Sequence, residues 1–100
     1  MTKAQFFGYG FRVSGHSTNS AGDDEGRALC AAVSSAAYMA ANTITEIIGD
    51  KAEVEVSDGE MFLKAENPSD KTVAVLKGLK LHLSELSKQY GKRLIVISEV

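Results

Sequence analysis

AEVEVSDGEMFLKA, residues 52–65, reads as a β-hairpin closed by a two-residue turn at Asp58-Gly59. Pairing across that turn sets Val56 against Met61, Val54 against Leu63 and Ala52 against Ala65 on one face. The other face sets Glu53 against Lys64, an opposite-charge cross-strand pair. Both faces make chemical sense in one register. The stretch therefore commits the chain to an antiparallel sheet with an apolar side and a polar side carrying Glu53, Glu55 and Lys64.

Upstream of the hairpin, Asp24 to Ile48 has helical period. Leu29, Val33, Ala36, Ala40, Ile44 and Ile47 form one apolar stripe at spacings of three and four. Beside it runs a line of small residues, Cys30, Ser34, Ala37, Ala41 and Thr45. Gly49 stands where a left-handed C-terminal cap is expected. No charge occurs from Ala28 to Thr45, which predicts a helix covered on more than one side. That 18-residue run reaches the lower edge of a membrane span, but its Ala, Ser, Thr and Asn content argues for a buried helix instead.

Downstream, Asn67-Pro68-Ser69-Asp70 breaks the chain and offers a helix start. Thr72 to Tyr90 follows with Val73, Leu76, Leu79, Leu83, Leu86 and Tyr90 on one stripe, ended by Gly91. Leu94 to Ile97 is a short continuous apolar run, expected as a buried central strand.

The N-terminal segment alternates. Phe7, Tyr9, Phe11 and Val13 interleave with Gly8, Gly10, Arg12 and Ser14, the pattern of a half-buried strand over Gln5 to Ser14. Gly8 and Gly10 equally suit a tight turn between two short strands. Ser17 to Gly26 is a loop by composition, and its Asp23-Asp24-Glu25 cluster suits a helix start. Strand, long helix, hairpin, helix, strand gives a single α+β domain over 1–100. The expected architecture is a two-layer sandwich, a mainly antiparallel sheet with two helices packed on one face.

Composition narrows the function. Eleven Lys+Arg against thirteen Asp+Glu, with no basic stripe, argue against direct nucleic-acid binding. One cysteine forms no internal disulfide and no Cys-rich zinc site, so a reducing, cytoplasmic setting is expected. His16, His82 and the acids show no metal-ligand spacing, and no cofactor motif is present. The N-terminus lacks the basic and apolar regions of a signal peptide, and no membrane association is expected. His82, between Leu81 and Leu83, reads as a solvated or half-buried side chain.

If the chain does chemistry, Cys30 and His16 are its means. A nucleophilic cysteine acts as its thiolate, generated by a helix N-terminus or a nearby imidazole. Cys30 lies about two turns into the expected helix, beyond the reach of the helix dipole. His16 would then take the thiol proton and return it to the leaving amine. A core cysteine acting as a small apolar filler fits the same spacing.

The string V-S-G-H at 13–16, the Gly/Asp-containing loop, and C-A-A-V-S-S-A at 30–36 opening an Ala-rich helix resemble the ribosomal-processing cysteine protease (Prp) family. The element order is similar over nearly the whole chain. The resemblance implies a catalytic dyad of Cys30 and His16, with Gly15 in the G-H pair and Ser34 at the position of the family's helix serine. Ser34 either bonds near the thiol or bonds its own backbone. The family pattern D-I-V-C is Arg27-Ala28-Leu29-Cys30 here, so the carboxylate three before the cysteine is missing. Either Asp23, Asp24 or Glu25 substitutes from a turn earlier, or His16 has no orienting acid. Arg27 either stabilises a thiolate or substrate carboxylate, or is a solvated helix residue. The loop is longer and the N-terminal region shorter than usual for the family.

What the resemblance implies is a homodimeric endopeptidase that removes the N-terminal extension of a large-subunit ribosomal protein precursor, cutting after an aromatic, hydrophobic segment. The alternatives are a ribosome-associated interaction module without enzymatic activity, and a homodimeric scaffold with a structural Cys30.

Overall fold

The computed structural model describes residues 1–15 and 22–99. Its elements in order are β1 (Thr2–Phe7), β2 (Gly10–Gly15), α1 (Asp24–Asn42), β3 (Ala52–Ser57), β4 (Glu60–Ala65), α2 (Asp70–Tyr90) and β5 (Leu94–Glu99). The five strands form one sheet in the order β3-β4-β2-β1-β5. Every pairing is antiparallel except that of β1 with β5, which α2 makes possible as a crossover.

Alternation along the strands sends Ala4, Phe6, Phe11, Val13, Met61, Leu63 and Leu94 to one face. That face packs against Leu29, Val33, Ala37, Ala40 and Ile44 of the first helical segment and Leu76, Leu79 and Leu83 of α2. Both helices lie on this side, so the two-layer α+β reading holds.

The hairpin has the expected register, from Ala52 opposite Ala65 to Val56 opposite Met61, with Glu53 opposite Lys64. The N-terminal segment takes the tight-turn alternative, and Tyr9 is in the turn, 54% exposed. Its alternation is therefore not that of one strand. Ala4 and Phe6 are buried in β1, and Phe11 and Val13 in β2.

β5 corrects an expectation. Among the described residues it lies on an edge of the sheet, paired with β1 alone, and Ile95 is 37% exposed. The continuous apolar run arises because Leu94 faces the helices while Ile95 and Ile97 face the other way. That outer face is also less polar than expected. Phe7 stacks on Phe62 with centroids 5.8 Å apart. The Arg12 guanidinium lies 4.8 Å from the Phe62 centroid and is ion-paired with Glu60.

The first helix differs in two ways. It continues beyond Asn42 as a π-helical turn over Thr43–Ile48, closed by Gly49 N–H donating to the Ile44 carbonyl at 3.0 Å. Gly49 adopts the expected left-handed cap, with φ 83°. Bonds five residues back place more than four residues in a turn, so Ile48 stays near the core side and Ile47 rotates away, 80% exposed. The helix is also covered on one side only, with Tyr38 46% and Met39 66% exposed. Ser, Ala and Asn hydrate at little cost, so a lack of charge does not imply burial. By length and composition the helix would pass for a membrane span, yet Leu29, Val33 and Ile44 are core residues.

α2 starts two residues before the helical pattern, at Asp70. Ser69 is its N-cap residue, but its side chain does not cap the helix. Instead Asp50, from the connection before β3, accepts from Thr72 Oγ1 at 2.6 Å and from both the N–H and Oγ of Ser69 at 2.8 Å. The Thr72 hydroxyl, the Ser69 amide and the Ser69 hydroxyl, in that order, hold the Asp50 carboxyl below its usual range.

Candidate active site

The acidic run before α1 acts as a cap. Asp23 Oδ1 accepts from Gly26 N–H at 3.1 Å, and the same carboxylate accepts from Arg93 Nη1 at 2.9 Å through its other oxygen. The pair holds the Arg93 guanidinium protonated and ties the start of α1 to the turn before β5. Arg93 Nε also lies 3.9 Å from Glu25, and Asp24 is ion-paired with Arg27 on the exposed first turn. Each of the three acids near the place of the missing family aspartate thus has an arginine partner.

Cys30 follows Asp23 by seven residues, about two turns into α1, and is half-buried. The sequence places it on the side of α1 that turns towards the sheet. Val33 and Ala37, three and seven residues on, are buried there, while Ser34 is exposed at the edge.

A cavity of about 330 Å³ opens in front of the thiol-bearing turn. α1 contributes Cys30, Ser34 and Tyr38 to its wall, and β2 contributes Gly15. The β3–β4 hairpin contributes Val56, Ser57, Asp58, Gly59, Glu60 and Met61, and β1 contributes Thr2. The structure therefore brings Cys30, Gly15 and Ser34 to one place, whereas Asp24 is not among the lining residues. His16 and the loop residues to position 21 lie outside the described residues. Gly15, the peptide neighbour of His16, is at the cavity wall.

Gly15 is fixed there by its backbone. Its N–H donates to the Gly59 carbonyl at 2.9 Å, which locks the end of β2 to the hairpin turn. Its φ is +97°, and a Cβ at this position would sit 2.4 Å from the Met1 carbonyl oxygen. Only glycine meets both conditions.

Sequence reasoning missed the contribution of the hairpin. The Asp58-Gly59 turn was legible, but the β2–β4 register that sets Ser14 opposite Glu60, and so brings the turn beside Cys30, carries no local signal. A larger groove of about 680 Å³ between the two helices holds the exposed His82 but neither Cys30 nor a carboxylate. Among the described residues no cluster of three His, Cys, Asp or Glu suits a metal ion.

The cavity is of small-ligand size, lined by Val33, Val56 and Met61 together with Asp58 and Glu60, and has one nucleophile-bearing edge. Such an arrangement can seat an apolar side chain beside a carbonyl presented to the thiol.

Comparison with known proteins bears on this arrangement. Among solved structures, the fold is similar to the essential ribosomal processing protease Prp from S. aureus, in complex with a covalently linked product peptide. The TM-score is 0.87 at 13% identity, covering 99% of this chain and 100% of that one. The same protease with a substrate peptide gives the same values, TM-score 0.87 and 13% identity over 99% and 100%. SMU.848 from Streptococcus mutans is similar at TM-score 0.83 and 15% identity, covering 99% of this chain and 96% of that one. At these identities the likeness is one of fold. No curated protein matches the chain. The family model of cysteine protease Prp matches residues 1–95. With 95% of its length inside that model, the chain belongs to the cysteine protease Prp family and is a cysteine protease.

Proposed function

We propose that this protease removes the N-terminal extension of a large-subunit ribosomal protein precursor in the cytoplasm, with Cys30 as nucleophile and His16 as its acid-base partner. One observation carries the reading: Cys30 and Gly15 line a single cavity. His16 follows Gly15 directly in the sequence. Support for the substrate comes from the family and from the S. aureus relative, a ribosomal processing protease bound to peptides.

In this reading the imidazole takes the Cys30 proton, and the thiolate sulfur bonds to the scissile carbonyl carbon. The tetrahedral intermediate collapses with cleavage of the C–N bond as the imidazolium protonates the departing amine. Water, deprotonated by the imidazole, then attacks the thioester, releasing the carboxylate product and restoring the thiol. Tyr38, Val56 and Met61 at the cavity wall suit an apolar or aromatic side chain next to the cleaved bond. The helix dipole contributes little at a depth of two turns, so the imidazole has the larger part in activation.

The test is a synthetic peptide spanning the aromatic-containing extension of the source organism's ribosomal protein, with cleavage followed by mass spectrometry. The native protein cuts once, after the apolar segment, and Cys30→Ala lowers kcat/KM by about 10³-fold or more. Undiminished cleavage by Cys30→Ala overturns the reading. The homodimer implied by the family belongs to the same proposal. Sedimentation velocity should give twice the chain mass, and a monomer at micromolar concentration would remove that part.

A further inference from the structure

Among the described residues β3 ends the sheet on an open edge, and two of its helix-side residues are uncovered, Val54 at 40% and Val56 at 53% exposure. The backbone explains what this edge offers. The Lys51 carbonyl accepts from Glu66 N–H at 2.9 Å, which turns the polar groups of Lys51 towards β4. These groups alternate sides along a strand, so Ala52, Val54 and Val56 turn their N–H and C=O to the open edge. An edge of this kind is a template for another extended chain.

The two faces of β3 specify what that chain must carry. On the helix side it would lie against Val54 and Val56. On the outer side it would lie against exposed Glu53 and Glu55, of which Glu55 is opposite Phe62 and has no basic residue across from it. Cross-strand complementarity then calls for apolar residues on one face and Lys or Arg on the other, alternating along the strand. A second copy of the chain is a poor occupant. Two β3 edges related by a twofold axis centred on Val54 set Glu55 against Glu53, and centred on Glu55 set that carboxylate against itself, like-charge pairings in the registers that use the exposed valines.

The edge also leads to the nucleophile. Val56 and the turn residues that follow it line the cavity shared with Cys30. We propose that β3 is the substrate-docking edge, onto which an extended peptide of alternating apolar and basic residues adds as a sixth strand whose end enters the Cys30 cavity. The proposal rests on the reading of Cys30 as nucleophile and specifies how its substrate is held. Main-chain bonds to Val54 and Val56 supply affinity, and the two faces supply selectivity.

The experiment measures fluorescence anisotropy of a labelled octapeptide alternating Phe and Lys, titrated with Cys30→Ala protein so that the probe survives. A block peptide of four Phe followed by four Lys is the composition control. Two further probes carry N-methyl groups on alternate amides, one in each register. The alternating peptide should bind at least tenfold tighter than the block peptide. One N-methyl register should lose at least tenfold, and the other should stay within twofold.

Val54→Pro removes an edge-facing N–H that the sheet does not use, and should also weaken binding at least tenfold. The N-methyl arm needs no change in the protein and decides the matter if that variant misfolds. Absent binding, equal binding of alternating and block peptides, or equal loss in both registers overturns the proposal. Self-association abolished by Val54→Pro, without peptide binding, gives the edge to a second copy and also overturns it. Alkylation of Cys30 in the native protein is read separately. Failed docking beside a reactive thiol removes only the edge assignment, and docking beside an inert thiol removes the catalytic reading of Cys30.

Discussion

Cys30 lies where the sheet side of α1 meets solvent, and three neighbours give it a purpose: the cavity, Ser34 one turn along, and the end of β2. Gly15 is the residue that fixes this geometry. Replacing it by alanine would force a side chain into φ +97° and within 2.4 Å of the Met1 carbonyl. Gly15→Ala is therefore expected to lower stability by about 1–3 kcal/mol in urea unfolding. Peptide cleavage should fall further than the loss of folded protein explains, because the strand end that carries His16 must shift. Cleavage matching the folded fraction would show that this strand end does not position the site.

At the scale of elements, two features lend themselves to measurement. The π-helical turn leaves Ile44 fully buried and Ile47 80% exposed, although an uninterrupted α-helix would put both on the apolar stripe. Ile44→Ala is expected to cost about 2–5 kcal/mol. Ile47→Ala should stay within about 0.5 kcal/mol, and equal losses in thermal unfolding would argue for a regular helix.

The second feature is the Asp50 clip at the start of α2. Thr72→Val keeps the shape of a fully buried side chain and removes one hydrogen bond, at a cost of about 1 kcal/mol at pH 7. The Asp50 carboxyl is lowered from 3.8 by bonds to its charged form, first of all from Thr72. A depressed carboxyl contributes stability that is present above its unfolded pKa and lost as pH falls through the folded one. The gap between native protein and Thr72→Val should therefore be constant above about pH 5 and narrow below pH 4. A gap that widens in acid would contradict the clip.

For the whole molecule, what was legible in the sequence was what short-range chemistry dictates. The β3–β4 register followed from the Asp58-Gly59 turn and the Glu53–Lys64 pairing. The stripe Leu76, Leu79 and Leu83 followed from helical period, and the capping of α1 by its acidic run from the helix dipole. Three features came from long-range or cumulative effects. The open edge at β5 depends on what pairs beyond it, which Leu94 to Ile97 cannot encode. The turn at Tyr9 was one of two readings until β1 found β5 as a partner. The hairpin's place at the cavity depends on β2–β4 pairing across some fifty residues of chain. Cys30, Gly15 and Ser34 were therefore legible as candidates, but the wall that makes them a site was not.

The central claim is that His16 activates Cys30, and the most direct test is alkylation of Cys30 by iodoacetamide at pH 6. Mass spectrometry would follow the reaction in the native protein and in His16→Ala. A cysteine with an imidazole partner reacts at a pH where an ordinary cysteine holds little thiolate. The native protein is therefore expected to react at least tenfold faster than the variant. Equal rates in the two proteins, or a Cys30 that reacts only after denaturant is added, would contradict the account.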